Sequence, residues 1–378
     1  MKTHLPSAHI KGFNGLRALA VTLVFLDHKA RIHGFNLSDL GVWMFFVLSG
    51  YLIIGELHRQ RCRIEQAGVT GGVRAQMRIF FTKRALRIFP IYYLVLITLF
   101  VLQHFYRHAG PDLGFAYHFT YLSNYWIGVV TGHWVGPFGV FWSLAVEQQF
   151  YLIAPFLFLL SGSRWHPTIC VAAIIAGAAA HVVLYATHVN EIAIYVLSPW
   201  NFSILALGGL GYMLCTADSA QRFLQRTLVG PVPFVLGIAG VVLFAASAEI
   251  LGELDPGRNA WFDFALTFSV AVVVLWVARN QASRIVALLE LTPLAYFGAI
   301  SYGFYLMHNF IPNPLGPALE IYGGVHMAPA VVETLGVLLD FALSVLAASL
   351  SWRFIEAPVM ALRTRAIGIT APRQVLSQ

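Results

Sequence analysis

The sequence predicts an all-α polytopic integral membrane protein, and three observations carry that reading. Hydrophobic residues make up 58% of the 378-residue chain and charged residues only 11%, where a soluble domain carries roughly a quarter charged residues. Ten apolar runs are each long enough to span a bilayer, which takes about 17–25 residues per helix. The basic residues collect in alternate segments between those runs. The net charge of +7 therefore sets topology and does not indicate nucleic acid as a partner.

The runs lie near 13–33, 40–57, 88–106, 142–161, 168–188, 199–216, 231–250, 261–278, 294–312 and 329–352. With a cytoplasmic N-terminus, 20 of the 24 Lys and Arg residues fall on the cytoplasmic side, and only Lys29, Arg31, Arg107 and Arg258 fall outside. Both termini are therefore expected inside, with residues 1–378 forming a single membrane-embedded domain and 353–378 a cytoplasmic tail. Short loops suit a multi-pass protein of a bacterial inner membrane. The polar interruptions of the first run, with no small-residue cleavage site after it, favour an uncleaved helix over a signal peptide. Cys62, Cys170 and Cys215 all fall inside or within spans, so no structural disulfide is expected. No metal-ligand spacing occurs, and no metal is expected.

The first run, GLRALAVTLVFLDHKA, carries Arg17 and His28. Eleven steps of about 100° return to nearly the same helix face, roughly 16 Å further along. One face thus holds a cation near one membrane edge and an imidazole about half a bilayer deeper. Such groups are costly in lipid and are functional candidates; the plainer reading is a snorkelling Arg and a span-end His. The second run contains Ser49 and Gly50, which suit close helix packing. A basic cytoplasmic loop is expected over 58–87, with eight Lys or Arg against one acidic residue, Glu65. It either obeys the positive-inside rule or holds a polyanionic ligand against the membrane.

At the inner mouth of the third run, Arg84 and Arg87 share a helix face. Two guanidiniums there either anchor the span or grip phosphates in bidentate fashion; Pro90 would set the start of the helix. The segment 105–141 is aromatic and Gly-rich, with Ser123 and Asn124, and is either an interfacial belt or a lid for an extracytoplasmic ligand. Glu147, expected at the outer edge of the fourth run and on the side of His28, needs a partner or a wet cavity. It would raise the basicity of His28 or only fix helix packing. In the ninth run His308 has Ser301, Tyr302 and Tyr305 nearby. The tenth run is expected to stop at Pro358 with an Arg353–Glu356 ion pair.

Taken together, NGLRALAVTLVFLDH, FFVLSGYLI, RALRIFPIYY, FWSLAVEQQFYL, ISYGFYLMH and SWRFIEAP resemble, in order, the blocks of the membrane-bound acyltransferase-3 family over about residues 11–360. The resemblance implies an acyl-CoA-dependent O-acyltransferase of the stand-alone type. It would move an acyl group, usually acetyl, from cytoplasmic acetyl-CoA to a hydroxyl of an extracytoplasmic glycan or glycolipid. Under it, His28 and Glu147 are the expected catalytic pair, and Arg17, Arg84 and Arg87 hold the phosphates of the donor. His308, Asn124, Ser143 and Tyr302 are expected on the acceptor side. Two departures stand out: Gln148 follows Glu147 where the family often has a second acid, and Trp43 stands where it often has Asp, with Asp39 nearby. The competing class is a proton-coupled transporter or flippase. Its matching Gly/Pro-interrupted halves are not seen here.

Overall fold

A bilayer leaves the backbone no partner but itself, so spanning segments fold as helices or closed barrels. Each of the ten apolar runs is helical in the computed structural model, which describes residues 10–30, 36–67, 72–106, 113–217, 227–251, 256–311 and 329–367. The run ends at 31–33 and 312, and residues 68–71, 107–112 and 368–378 of the basic segment, aromatic segment and tail, lie outside the described residues. Among the described residues there is no strand, and seven helices are long and apolar enough to cross a membrane. The chain is an all-α polytopic membrane protein.

The longer helices are α1 (Phe13–Ala30), α2 (Leu37–Ala67), α3 (Gly72–Tyr106), α4 (Phe141–Leu160), α5 (His166–Ala186), α6 (Ser198–Thr216), α7 (Pro231–Leu251) and α8 (Pro256–Arg279). The ninth run is two short helices, α9 (Thr292–Ala299) and α10 (Ser301–Met307), and the chain closes with α11 (Pro329–Ser351) and α12 (Ala357–Ile367). Burial sorts them. The apolar window of α2 is 83% buried, against 22% for α3 and 17% for the α5 segment, so α2 is central and the other two face lipid. Lipid tails give no hydrophobic drive to helix association, so close packing and small residues must supply it. On α2, a side chain at Gly50 would run into the Leu205 carbonyl of α6, and one at Gly208 into that of Val47. At α9, Gly298 is pressed in the same way on the backbone of Asn14 in α1.

Three local expectations are corrected. The basic segment 58–87 is not a loop: α2 runs on to Ala67 and α3 begins at Gly72. Arg, Lys, Gln and Glu are strong helix formers, so the helices outlast the apolar signal. Pro90 consequently sits inside α3 instead of starting it. Nor does Pro358 stop the last run. The chain passes through a π turn, Trp352–Glu356, straight into α12. There is no Arg353–Glu356 pair: Arg353 lies over the Phe354 ring, and buried Glu356 accepts a hydrogen bond from Ser351.

The aromatic segment is irregular where described. It holds helical turns at Phe115–Phe119 and Ser123–Tyr125, a π turn at Trp126–Thr131 and a 3-10 turn at Gly136–Val140. Gly132 and Gly136 take φ of 64° and 51°, a region closed to most side chains. These two residues turn the chain back over one end of α4.

Candidate active site

The site is a chain of three cavities strung along α1. The first, of about 540 Å³, lies between α1, α2 and α3 and is basic. Arg17, Arg59, Arg63, Lys83, Arg84 and Arg87 line it, with Glu56 as the acidic residue among them. Lys83 and Arg84 reach Glu56 at 2.7 and 3.5 Å. Arg84 is braced by the Tyr151 and Phe80 rings, 5.4 and 5.7 Å from its guanidinium carbon, and its Nε is buried without a hydrogen-bond partner. Among the described residues, Arg17 and Arg87 form no ion pair with a carboxylate. The helical extension of α2 and α3 is what stacks these cations at successive turns.

The basic cavity narrows to a neck of about 70 Å³. Arg17, Ser49, Arg84, Arg87 and Tyr151 line both spaces. In the neck Ser49 donates a 2.6 Å hydrogen bond to Glu147. At its far end the Ser143 and Tyr305 hydroxyls meet at 2.7 Å. Tyr305 also lines the third cavity, of about 820 Å³, together with His28, Asp39, Trp134, Trp142 and Glu191. This space is aromatic and acidic. Its cation, Lys29, is drawn away to Asp340 at 3.4 Å.

His28 is held by His308, the residue that caps the C-terminal end of α10. Its Nδ1 lies 2.8 Å from His308 Nε2, the rings are within 4° of one plane and their centroids are 5.1 Å apart. That is an in-plane hydrogen bond between ring nitrogens, not a face-to-face stack. His28 Nε2 has Ser38 Oγ 3.5 Å away.

The structure therefore gathers the expected residues in an order the sequence did not give. Arg17, Arg84 and Arg87 converge as expected, and Arg17 and His28 occupy opposite ends of α1. Glu147 is not beside His28: it lies in the neck with Arg17, Arg84 and Tyr151, nearly two turns into α4 from its start at Phe141. Ser143 and Tyr302 also line the neck and not the aromatic cavity; Tyr302 donates to the Ile88 carbonyl at 3.3 Å. Asn124 is fully buried. It donates to Ser198 at 3.0 Å and accepts from Gln149 at 2.9 Å, tying the aromatic segment to α4 and α6. His308 has no exposed surface, so an acceptor cannot touch it as packed. Asn124 and His308 thus support the site from behind.

From sequence, Tyr305 and Asp39 figure only as neighbours, of His308 and of Trp43, and not among the site residues. Tyr305 stands three residues before His308, the helical spacing that shares a face, and that spacing was the available signal. The Trp43 departure resolves structurally. Trp43 is buried and packs edge-on to Trp200 with centroids 6.1 Å apart, while Asp39, one turn earlier on the same face, lines the cavity wall. Among the described residues no group of three or more His, Cys, Asp and Glu is placed to hold a metal.

A helical membrane bundle with a basic mouth, a neck and a half-buried imidazole beyond it is the setting in which the sequence comparisons fall. The chain belongs to the acyltransferase-3 family: the family's model, described as an acyltransferase domain, matches residues 10–353. It is 28% identical over 385 residues to the peptidoglycan O-acetyltransferase OatA of Listeria monocytogenes, covering 94% of this chain and 57% of that protein. It is 26% identical over 372 residues to the O-acetyltransferase OatA of Staphylococcus aureus, covering 93% of this chain and again 57% of the relative. The chain thus spans little more than half the length of these curated relatives. No solved structure matches it.

Proposed function

We propose that the protein is an O-acyltransferase that takes an acetyl group from acetyl-CoA at the cytoplasmic face and delivers it to a hydroxyl of a cell-envelope glycan on the other side. The observation that carries this reading is the cavity chain. A phosphate-compatible cavity at one end of α1 shares a wall of five residues with the neck, and the neck shares Tyr305 with an aromatic cavity at the other end, where His28 sits. The acetyl group and the glycan follow from the relatives' names, and the orientation follows from the positive-inside rule.

The chemistry divides along α1. A nucleotide bearing phosphates cannot cross a bilayer. Arg84 and Arg87, with Arg17 above them, offer charge-assisted hydrogen bonds to those phosphates. The thin acyl-bearing arm of the donor would enter the neck, where the carboxyl of Glu147, bonded to Ser49, faces the guanidiniums of Arg17 and Arg84. Beyond Tyr305 the thioester meets the acceptor. Aromatic faces such as that of Trp134, 45% exposed, suit the apolar faces of sugar rings. His28 removes the proton of the attacking hydroxyl as general base. The hydroxyl oxygen bonds to the thioester carbon, the carbon–sulfur bond breaks, and the proton passes from His28 to the departing sulfur. The products are an O-acetyl glycan and free CoA thiol.

The test is acceptor-dependent thiol release by the purified protein in proteoliposomes, with acetyl-CoA and glycan fragments supplied on opposite sides. The wild type should release thiol in step with acetyl transfer. His28→Ala should lose at least about 100-fold of that rate and still bind acetyl-CoA. Movement of intact glycan with no thiol released would establish the carrier instead, and thiol release undiminished in His28→Ala would remove His28 from the mechanism.

A further inference from the structure

We infer that His308 is a positioning residue that selects the tautomer of His28, using the backbone carbonyl of Tyr305 as its reference point. The inference rests on the reading of His28 as the general base.

The hydrogen-bond directions follow from one group whose role is fixed. A carbonyl oxygen accepts only. His308 Nδ1 lies 2.8 Å from the Tyr305 carbonyl oxygen, so Nδ1 carries the proton. In a neutral ring, Nε2 of His308 is then a lone pair. That lone pair faces His28 Nδ1 at 2.8 Å, so His28 Nδ1 is the donor. The free lone pair of His28 falls on Nε2, the nitrogen on the Ser38 side. With the opposite tautomer the basic nitrogen would point into the protein and no proton could be taken from an acceptor.

The surroundings hold this arrangement in place. His308 is fully buried and lies parallel to the Phe304 ring within 7°, with centroids 5.9 Å apart; Phe25 of α1 packs on it at 6.2 Å. Tyr305 belongs to α10 and His308 caps its C-terminal end, with the His308 N–H bonded to the Phe304 carbonyl at 3.0 Å, so carbonyl and imidazole are held on one turn of backbone. When His28 takes a proton on Nε2, its Nδ1–H stays bonded to His308, and the new charge keeps an oriented lone pair beside it. Charged groups near the pair are Lys29, Asp27 and Asp39 along the cavity wall. Asp340 on α11 is engaged with Lys29. No carboxylate is bonded to His28 or to His308 in the contacts described, so the orienting part that a buried Asp plays in a Ser-His-Asp triad falls here to a second histidine.

Three substitutions separate this role from packing and from acceptor binding. In His308→Gln the amide N–H can replace Nδ1–H towards Tyr305 and the amide oxygen can receive His28 Nδ1–H. His308→Asn keeps the first bond but is too short for the second, and His308→Leu makes neither. Transfer kinetics with acetyl-CoA and a glycan acceptor should show kcat down at least about 100-fold in Leu and Asn, since a mis-set tautomer in a triad costs about 10⁴. Both KM values should stay within about threefold, and Gln should recover most of the rate. Retained acetyl-CoA binding reports folding, and Asn carries the test if Leu does not fold. The inference is overturned if Leu or Asn turns over near the wild-type rate, if Gln is as impaired as they are, or if the loss appears in acceptor KM. His28→Ala, run beside them, keeps the two ideas apart. An active His28→Ala removes the base itself, whereas an inactive His28→Ala with an active His308→Leu removes only the role of His308.

Discussion

The basic cavity and the aromatic cavity share one helix and are built by opposite means. The basic one is made of regular structure. Cations on the outlying turns of α2 and α3 point inward at fixed spacing, with Glu56 holding two of them. The aromatic one borrows much of its wall from irregular turns around Trp134 and Gly136, and its described charges are mostly acidic. One cavity attracts a polyanion and the other repels it. Under the proposed function, the difference would let a single bundle keep two substrates apart without a separate domain for each, drawing each ligand to one end and disfavouring it at the other.

The contrast can be broken by experiment. The largest effect is expected from Arg84→Ala/Arg87→Ala. Loss of charge-assisted hydrogen bonds worth about 1.5–3 kcal/mol each should raise the KM for acetyl-CoA about 100-fold or more and leave acceptor KM alone; an equal rise in both would mean the cavities are not separate. Trp134→Ala should do the reverse, raising acceptor KM about tenfold, in line with about 0.5–1.5 kcal/mol for an aromatic contact, with no change in donor KM. Added salt sharpens the picture more gently. From 0.05 to 0.5 M, donor KM should climb several-fold as the exposed part of the basic field is screened, while acceptor KM stays flat. Asn124→Ala should change neither KM. It should cost about 1–3 kcal/mol of stability because Gln149 and Ser198 lose a buried partner, seen as a lower unfolding temperature; a kinetic effect without a stability effect would return Asn124 to the acceptor site.

Much of the bundle was legible because hydropathy and a helical repeat are local properties. The register of Arg17 and His28 needed only a count of eleven residues. The convergence of Arg84 and Arg87 needed only a count of three. What escaped depended on distance in the chain. His28 and His308 are 280 residues apart, and no spacing rule joins them. Glu147 was misplaced for a different reason: a hydropathy window shows that a run crosses, not how deep its first polar residue sits. Charged helix formers in 58–67 and 72–87 hid the reach of α2 and α3 in the same way, since an apolar signal ends at the membrane surface and a helix need not.

The neck has a further consequence, for the energy economy of the cell. A membrane that stores a proton gradient cannot tolerate a water-filled pore, yet the proposed reaction hands an acetyl group across it. At about 70 Å³, the neck has room for only a few water molecules, and the joined hydroxyls of Ser143 and Tyr305 cap its far end. An acyl arm threading this passage would fill it as it opens it. In the proposed reaction the protein would in this way behave as an airlock, passing a two-carbon cargo outward while protons stay where the cell has pumped them.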